Sequence, residues 1–300
     1  MAGYLFVHFI GEEKDGEQIY FSISKDGLHW KDLNQGKPIL YSDLGDKGVR
    51  DPFIVKEPTT GKYFLIATDL CIGKRKGGWE SACKNGSRDL IVWESDNLID
   101  WGKAKSCRVG IPEAGCVWAP EAVYDKKEEA FFVFWASFVK EEGEAEGKHR
   151  IYSAYTKDFR EFTSLQKYIE KENAIIDTTI IFDNGKYYRF SKDESNKHII
   201  AECGDELAGQ DFILIENSKL NELLGVEGPE CFRLPDGKWC LVVDQYGTGK
   251  GYLPIVIEDL ETAEVRVLEE KDYSFGSTKK RHGGIIAISD EEYDALQDKF

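Results

Sequence analysis

No apolar run in this chain is long enough to cross a membrane, no two cysteines have CxxC spacing, and almost no stretch carries the 3.6-residue period of a long helix. Each absence closes off a class of protein. Seven cysteines is an odd number and no His/Cys cluster has zinc spacing, so reduced structural thiols are expected, with Cys231 and Cys240 as buried strand residues. Positive charge is also scarce: 39 Lys and Arg stand against 55 Asp and Glu, a formal net charge of -16. That balance opposes nonspecific binding to nucleic acid or an anionic membrane, and suits a neutral small or oligomeric ligand. The opening stretch MAGYLFVHFIGEE has no basic segment, and its apolar run is broken at His8 and ends at Gly11. It is too short for a signal peptide or a span, which predicts a cytoplasmic location. What is present is 41% hydrophobic and 13% aromatic residues in a chain of 300, ample for a sizeable core. No linker stands out, so one domain over residues 1–300 is expected.

The pattern of the whole chain is stated in VEGPECFRLPDGKWCLVVD, Val226 to Asp244. Glu227 heads a strand beside Gly228 and Pro229, Asp236-Gly237 is a two-residue hairpin signal, and Trp239 to Val243 is a short apolar run suited to a strand covered on both faces. Similar units begin near Asp51, Trp118, Asp177 and His282, so the five heads are 67, 59, 50 and 55 residues apart. Between them a second signature recurs, a strand ending in a short polar turn: YFSISKDGLHW, LIVWESDNLIDW, IYSAYTKDFREF, IIAECGDELAGQDF and YLPIVIEDLETAEV. About four short strands per repeat, none able to bury its own faces alone, predict an all-β fold, a five-bladed propeller. The chain opens with two strands that lack a head, Tyr4 to Phe9 and Ile19 to Ile23. The missing head is the last one, Gly283 to Ser289, so pairing the end with the beginning would close the ring and protect the strand edges. The tail from Glu291 reads as a short terminal helix. Leu70 to Asp89 and Val139 to Arg150 exceed ordinary loop lengths. The first carries Trp79 and is expected to shape a ligand site, the second to be a solvated excursion.

In a propeller the innermost strand of each blade lines the central channel, so the heads should converge at one end of it. They supply Asp51, Trp118 with Glu121, Asp177, Glu227 and His282: carboxyl groups, an aromatic platform and an imidazole around one pocket. Cleaving a glycosidic bond needs a carboxylic acid to protonate the leaving oxygen and a carboxylate to activate water or attack carbon. A third carboxylate near the acid would raise its pKa and keep it protonated.

On these residues the chain resembles glycoside hydrolase family 43 along its whole length. The matching motifs are Arg50-Asp51-Pro52, Trp118-Ala119-Pro120-Glu121, Ile176-Asp177, Glu227-Gly228-Pro229 and Arg281-His282-Gly283. The resemblance implies an inverting hydrolase of arabinofuranosyl or xylosyl groups, with Asp51 as general base, Glu227 as general acid and Asp177 tuning and orienting that acid. Asp51 and Glu227 would then stand roughly 6.5 to 9.5 Å apart, leaving room for water. It also implies a channel cation, commonly calcium, or a water cluster near the late histidine, with His282 touching it directly or through water. No cofactor is expected for the chemistry itself. Thr178 replaces the usual proline after the middle Asp.

Other readings stand beside these. Alternation places Glu227 and Glu230 on opposite strand faces, so only one should face the channel, and Glu227 is the choice. Glu121 is either a substrate contact or a structural acid paired with an arginine, and Trp118 is a sugar platform or core. Arg281 is expected to contact substrate. His8, His29, His149 and His198 are expected to be structural or exposed. Gly247 to Gly251 lacks phosphate-loop spacing and reads as a turn. An invertase-like fructosidase shares Arg50-Asp51-Pro52 and Glu230-Cys231, but its Asn-Asp-Pro-Asn segment is not found here. The rival from another class is a sugar-binding propeller without hydrolysis, in which Asp51 or Glu227 would point away from the channel.

Overall fold

The computed structural model describes residues 3–216 and 218–300. The chain begins with β1 (Gly3–His8), β2 (Tyr20–Ser24) and β3 (Trp30–Asp32), then makes four antiparallel meanders. The first is β4 (Val49–Lys56), β5 (Tyr63–Asp69), β6 (Asp89–Ser95) and β7 (Lys105–Arg108). Next come β8 (Trp118–Asp125), β9 (Ala130–Val139), β10 (Lys148–Thr156) and β11 (Gln166–Ile169). The third is β12 (Ile175–Asp183), β13 (Lys186–Asp193), β14 (His198–Gly204) and β15 (Ile213–Ile215), and the fourth is β16 (Glu227–Arg233), β17 (Trp239–Asp244), β18 (Tyr252–Asp259) and β19 (Glu264–Val267). The last strand, β20 (Gly283–Ile288), pairs with β1 from Gly3↔Ile288 to His8↔Gly283 and completes a sheet of order β20-β1-β2-β3. Five four-stranded sheets thus form a five-bladed β-propeller closed by the chain's own end.

The strands are apolar on both faces because each sheet is covered on both sides. Ala130–Val139, AFFVFWASFV, is buried at every position but Phe138. Its Phe131 and Val133 pack toward the β4–β7 blade and its Phe132 and Phe134 toward β12. Five such buried clusters fill the five gaps between neighbouring blades. Each fully buried large side chain contributes about 1.5–3 kcal/mol, so the ring is held by these interfaces and not by any one central core. Cys231 and Cys240 lie in them, 8% and 0% exposed.

The heads of four inner strands, β4, β8, β12 and β16, depart from regular pairing. Register shifts fall at Arg50/Phe53, Trp118/Glu121, Ile176/Thr178 and Glu227/Glu230. At each, one residue takes a left-handed backbone: Asp51 (φ 49), Ala119 (φ 47), Asp177 (φ 48) and Gly228 (φ 53). These are β-bulges, which insert a residue and re-aim the side chains that follow. At Gly228 a side chain is also excluded by space, since a β-carbon there would lie 2.6 Å from His282 Cγ.

The expected long loops are more structured than the sequence implied. Leu70 to Asp89 contains a 3-10 turn and the short helix α1 (Gly78–Lys84), whose Trp79 is half exposed. In Val139 to Arg150 the β9–β10 ladder continues through Phe138↔His149, leaving a short tip, and Arg150 is buried against Val139 O at 2.8 Å. Residues 246–249 form the expected turn. The short helix α2 (Ser218–Glu222) precedes β16, and a terminal helix, α3 (Asp290–Lys299), is capped by Ser289 in a reciprocal capping box with Glu292. Among the described residues no helix is long and apolar enough to cross a membrane.

Candidate active site

The bulged heads bring their side chains to one mouth of the channel. Asp51 Oδ2 accepts from Thr68 Oγ1 at 3.0 Å, and Thr68 Oγ1 accepts from Ala119 N at 2.8 Å, so one hydroxyl on β5 fixes both the carboxylate and the neighbouring head. Asp177 Oδ2 accepts from Gly228 N at 3.0 Å, which ties it to the residue after Glu227. His282 Nδ1 lies 3.7 Å from Asp51 Oδ1 and 3.8 Å from Asp177 Oδ2. Tyr252 Oη donates to Gly228 O at 2.9 Å and accepts from Gly283 N at 3.0 Å, fixing the heads of β16 and β20 together. The side chains of Asp51, Asp177 and Glu227 retain 16%, 10% and 20% exposure, enough to be reached from the mouth.

Glu227 is clasped by two cations. Its Oε2 accepts from Lys192 Nζ at 2.8 Å and its Oε1 from Arg281 at 3.2 Å. Arg281 is itself anchored to the fully buried Asp244, and Lys192 lies 4.2 Å from the centre of the Tyr246 ring. Arg50, which shares Glu12 and the Phe9 ring with Arg281, bonds Glu12 at 2.8 Å and Glu17 at 3.0 Å and lies 4.9 Å from the Trp79 ring. Trp79 meets Trp118 edge-on at 6.0 Å, and Trp118 stacks on His149 at 5.0 Å. The result is a charged floor with one aromatic wall.

Burial pushes the Asp177 carboxyl up to about 6; Glu227 and Asp51 add to the rise, while His282 and Lys192 oppose it. Deeper in the channel, burial raises Glu230 to about 8. Its Oε1 accepts from Ile285 N at 2.8 Å and its Oε2 from Thr179 Oγ1 at 3.4 Å. Glu121 is raised well above the carboxylate range by burial and then by Glu230.

Asp51, Asp177, Glu227, Arg281 and His282 therefore converge, and Trp118 stands at the rim with Trp79. Two expectations are corrected. The bulge at Gly228 cancels the alternation argument, so Glu230 also turns inward, one layer below Glu227. Glu121 is 3% exposed, and its neighbours are Thr179 and Glu230 instead of an arginine. His149, expected to be incidental, lies behind Trp118. Thr68, Lys192 and Asp244 went unread in the sequence. They lie at the last or next-to-last position of second strands, and cross-strand register places them opposite heads: Arg50↔Thr68, Ile176↔Lys192 and Glu227↔Asp244. Counting back from the Asp236-Gly237 turn would have found Asp244. As for the implied cation, among the described residues no group of three or more His, Cys, Asp or Glu side chains is arranged to hold a metal ion.

A ring of five sheets with carboxylates gathered at one channel mouth defines a propeller of the glycosidase class. Residues 1–294 match the family model described as probable glycosyl hydrolase domain, related to family 43. The chain belongs to that family of glycoside hydrolases. An α-L-arabinofuranosidase of Bifidobacterium longum subsp. longum is 30% identical over 237 residues, covering 73% of this chain and 22% of the relative. The chain thus spans about a fifth of that curated relative's length. Among solved structures, a thermostable family-43 glycoside hydrolase superposes with a TM-score of 0.53 at 19% identity, covering 81% of this chain and 78% of the other. An endo-1,4-β-xylanase of Bacteroides thetaiotaomicron does so with 0.58 at 15% identity, covering 94% and 92%. At these identities the superpositions speak for the fold.

Proposed function

We propose that this protein hydrolyses O-glycosyl bonds with inversion, releasing α-L-arabinofuranosyl or β-D-xylosyl groups from plant-wall oligosaccharides. The observation that carries the reading is the convergence of three carboxyl groups on one mouth: Asp51 and Asp177 flank His282, and Asp177 bonds the backbone beside Glu227. Asp51, with Oδ2 engaged by Thr68, takes a proton from the attacking water through its other oxygen. Glu227 protonates the leaving oxygen, exchanging one of its two cationic partners for the substrate as it does so. Asp177 touches neither proton; it positions the head of β16 through Gly228 N. Trp79 and Trp118 offer the apolar face of a sugar a flat wall. The pentosyl preference rests on the name of the Bifidobacterium relative and on the resemblance in motifs.

Initial rates on aryl α-L-arabinofuranoside and aryl β-D-xyloside test this directly, with the anomer formed first identified by NMR. Asp51→Asn should lower kcat by about 10²–10⁴-fold. Glu227→Ala should lower it similarly on substrates with poor leaving groups and less on activated aryl glycosides, because a good leaving group needs no proton. Folded wild type that binds pentosides without hydrolysing either substrate would replace this reading with a sugar-binding propeller.

A further inference from the structure

The two long connections meet behind the aromatic wall. His149 on β10 is held between Trp118, stacked at 5.0 Å, and Phe138, edge-on at 5.5 Å. Its Nε2 lies 3.7 Å from Cys83 Sγ, in the last turn of α1, and 3.8 Å from Cys116 Sγ, two residues before β8. Cys116 is fully buried, with Phe138 N 3.4 Å from its sulfur, whereas Cys83 is partly exposed. The two backbones are pressed together. Gly86 N donates to Gly115 O at 2.6 Å, and a β-carbon on Gly115 would fall 2.4 Å from Cys83 O and 2.9 Å from Lys84 Cα. Only glycine permits that approach.

Two thiols on adjoining backbones, facing one imidazole nitrogen, are not arranged to hold a metal ion. Thiol chemistry remains. We propose that Cys83 and Cys116 form a reactive dithiol, with His149 as its base, that closes to a disulfide by exchange with a low-molecular-weight disulfide. Cys83 is the attacking group: the neighbouring Cys116 thiol, helped by His149, holds its thiol down to about 5 against the effect of burial. Cys116, raised by burial, is the resolving group. The Cys83 thiolate attacks one sulfur of the reagent RSSR and expels RS⁻, leaving Cys83–S–SR. Nε2 of His149 takes the Cys116 proton, and the new thiolate attacks the Cys83 sulfur and expels the second RS⁻. The two protons lost by the protein go to the two leaving thiolates, so the protein is oxidised by two electrons and RSSR is reduced to two RSH. Cys231 and Cys240 provide an internal contrast, since both are buried and, among the described residues, neither has a hydrogen bond to an imidazole.

The test treats the reduced, full-length chain with oxidised glutathione, quenches in acid and maps peptides without reduction. The expected product is a Cys83–Cys116 linked peptide lacking two hydrogens, with Cys116→Ser stopping at a glutathione adduct on Cys83. His149→Ala should slow closure at least ~10-fold below pH 7. In untreated wild type at pH 6, iodoacetamide should label Cys83 at least ~10-fold faster than any other thiol. That last measurement needs no variant and so stands even if a substitution impairs folding. Equal labelling of Cys71, Cys83, Cys107 and Cys203, a wild-type adduct that never closes, or unchanged closure in a folded His149→Ala protein would each overturn the proposal.

Discussion

At Asp177, burial, the carboxylates of Glu227 and Asp51, His282 and Lys192 act on a single group, and burial is the largest influence. A carboxyl raised from 3.8 to about 6 binds its proton more tightly in the folded protein than in the unfolded chain. Its contribution to stability is therefore complete below about pH 4 and lost as pH rises through about 6. Asparagine keeps an oxygen for Gly228 N and carries no charge. Asp177→Asn should accordingly flatten the pH dependence, with wild type losing on the order of 2–3 kcal/mol relative to the variant between pH 4 and 7. Urea titrations at both pH values measure this, and parallel curves would show that Asp177 is not held protonated. If Asp177 positions the acid, the same variant should also shift the pH profile of kcat/KM and not merely scale it. Asp177 was legible because a lone acid after two isoleucines stands at a repeat head. Lys192 and Thr68 were not, because they sit at the far ends of second strands, where only hairpin register reveals what they oppose.

The inner strands show why element-level reading needs more than periodicity. Alternation assigns Glu227 and Glu230 to opposite faces, and a left-handed Gly228 between them undoes the count by one residue. The same bulge recurs in four heads, so it belongs to the blade and not to one site. Its consequence is a second layer in which Glu121, Glu230 and Thr179 lie buried together in the channel. Glu230 is raised from 4.5 to about 8 by burial, so its stabilising contribution is lost as pH climbs across that range. Glutamine preserves an acceptor for Ile285 N without the charge. Glu230→Gln should therefore match wild type near pH 5 and exceed its Tm by at least ~5 °C at pH 9, by scanning calorimetry. Equal Tm values at pH 9 would mean that the channel is wet enough to carry a carboxylate. α1 was missed for a different reason. Seven residues are too few for helical periodicity to register, and Trp79 is placed by its contacts with Arg50 and Trp118.

On the scale of the whole molecule the governing fact is that the first blade is made from both ends of the chain. Two headless strands at the start and one orphan head at the end made this closure readable from order alone. The latch that secures it was less visible, because it depends on three-dimensional contact. α3 follows β20 directly, and its Leu296 is fully buried in the cluster that also holds Leu5 and Ile23 from β1 and β2, and Leu65 from β5. Phe300 O accepts from Asn34 N at 2.8 Å just beyond β3, and Tyr63 donates to Glu292 from the next blade. The helix therefore spans the seam on one side and reaches the neighbouring blade on the other. Leu296→Ala removes packing from both at once and should cost about 2–5 kcal/mol, read as a lower urea midpoint with unchanged slope. A seam that opens separately from the ring would instead give a second, earlier transition and a lower slope. In that event β1 and β20 would be exposed as strand edges before the other four blades unfold, and concentration-dependent association should appear at the first midpoint.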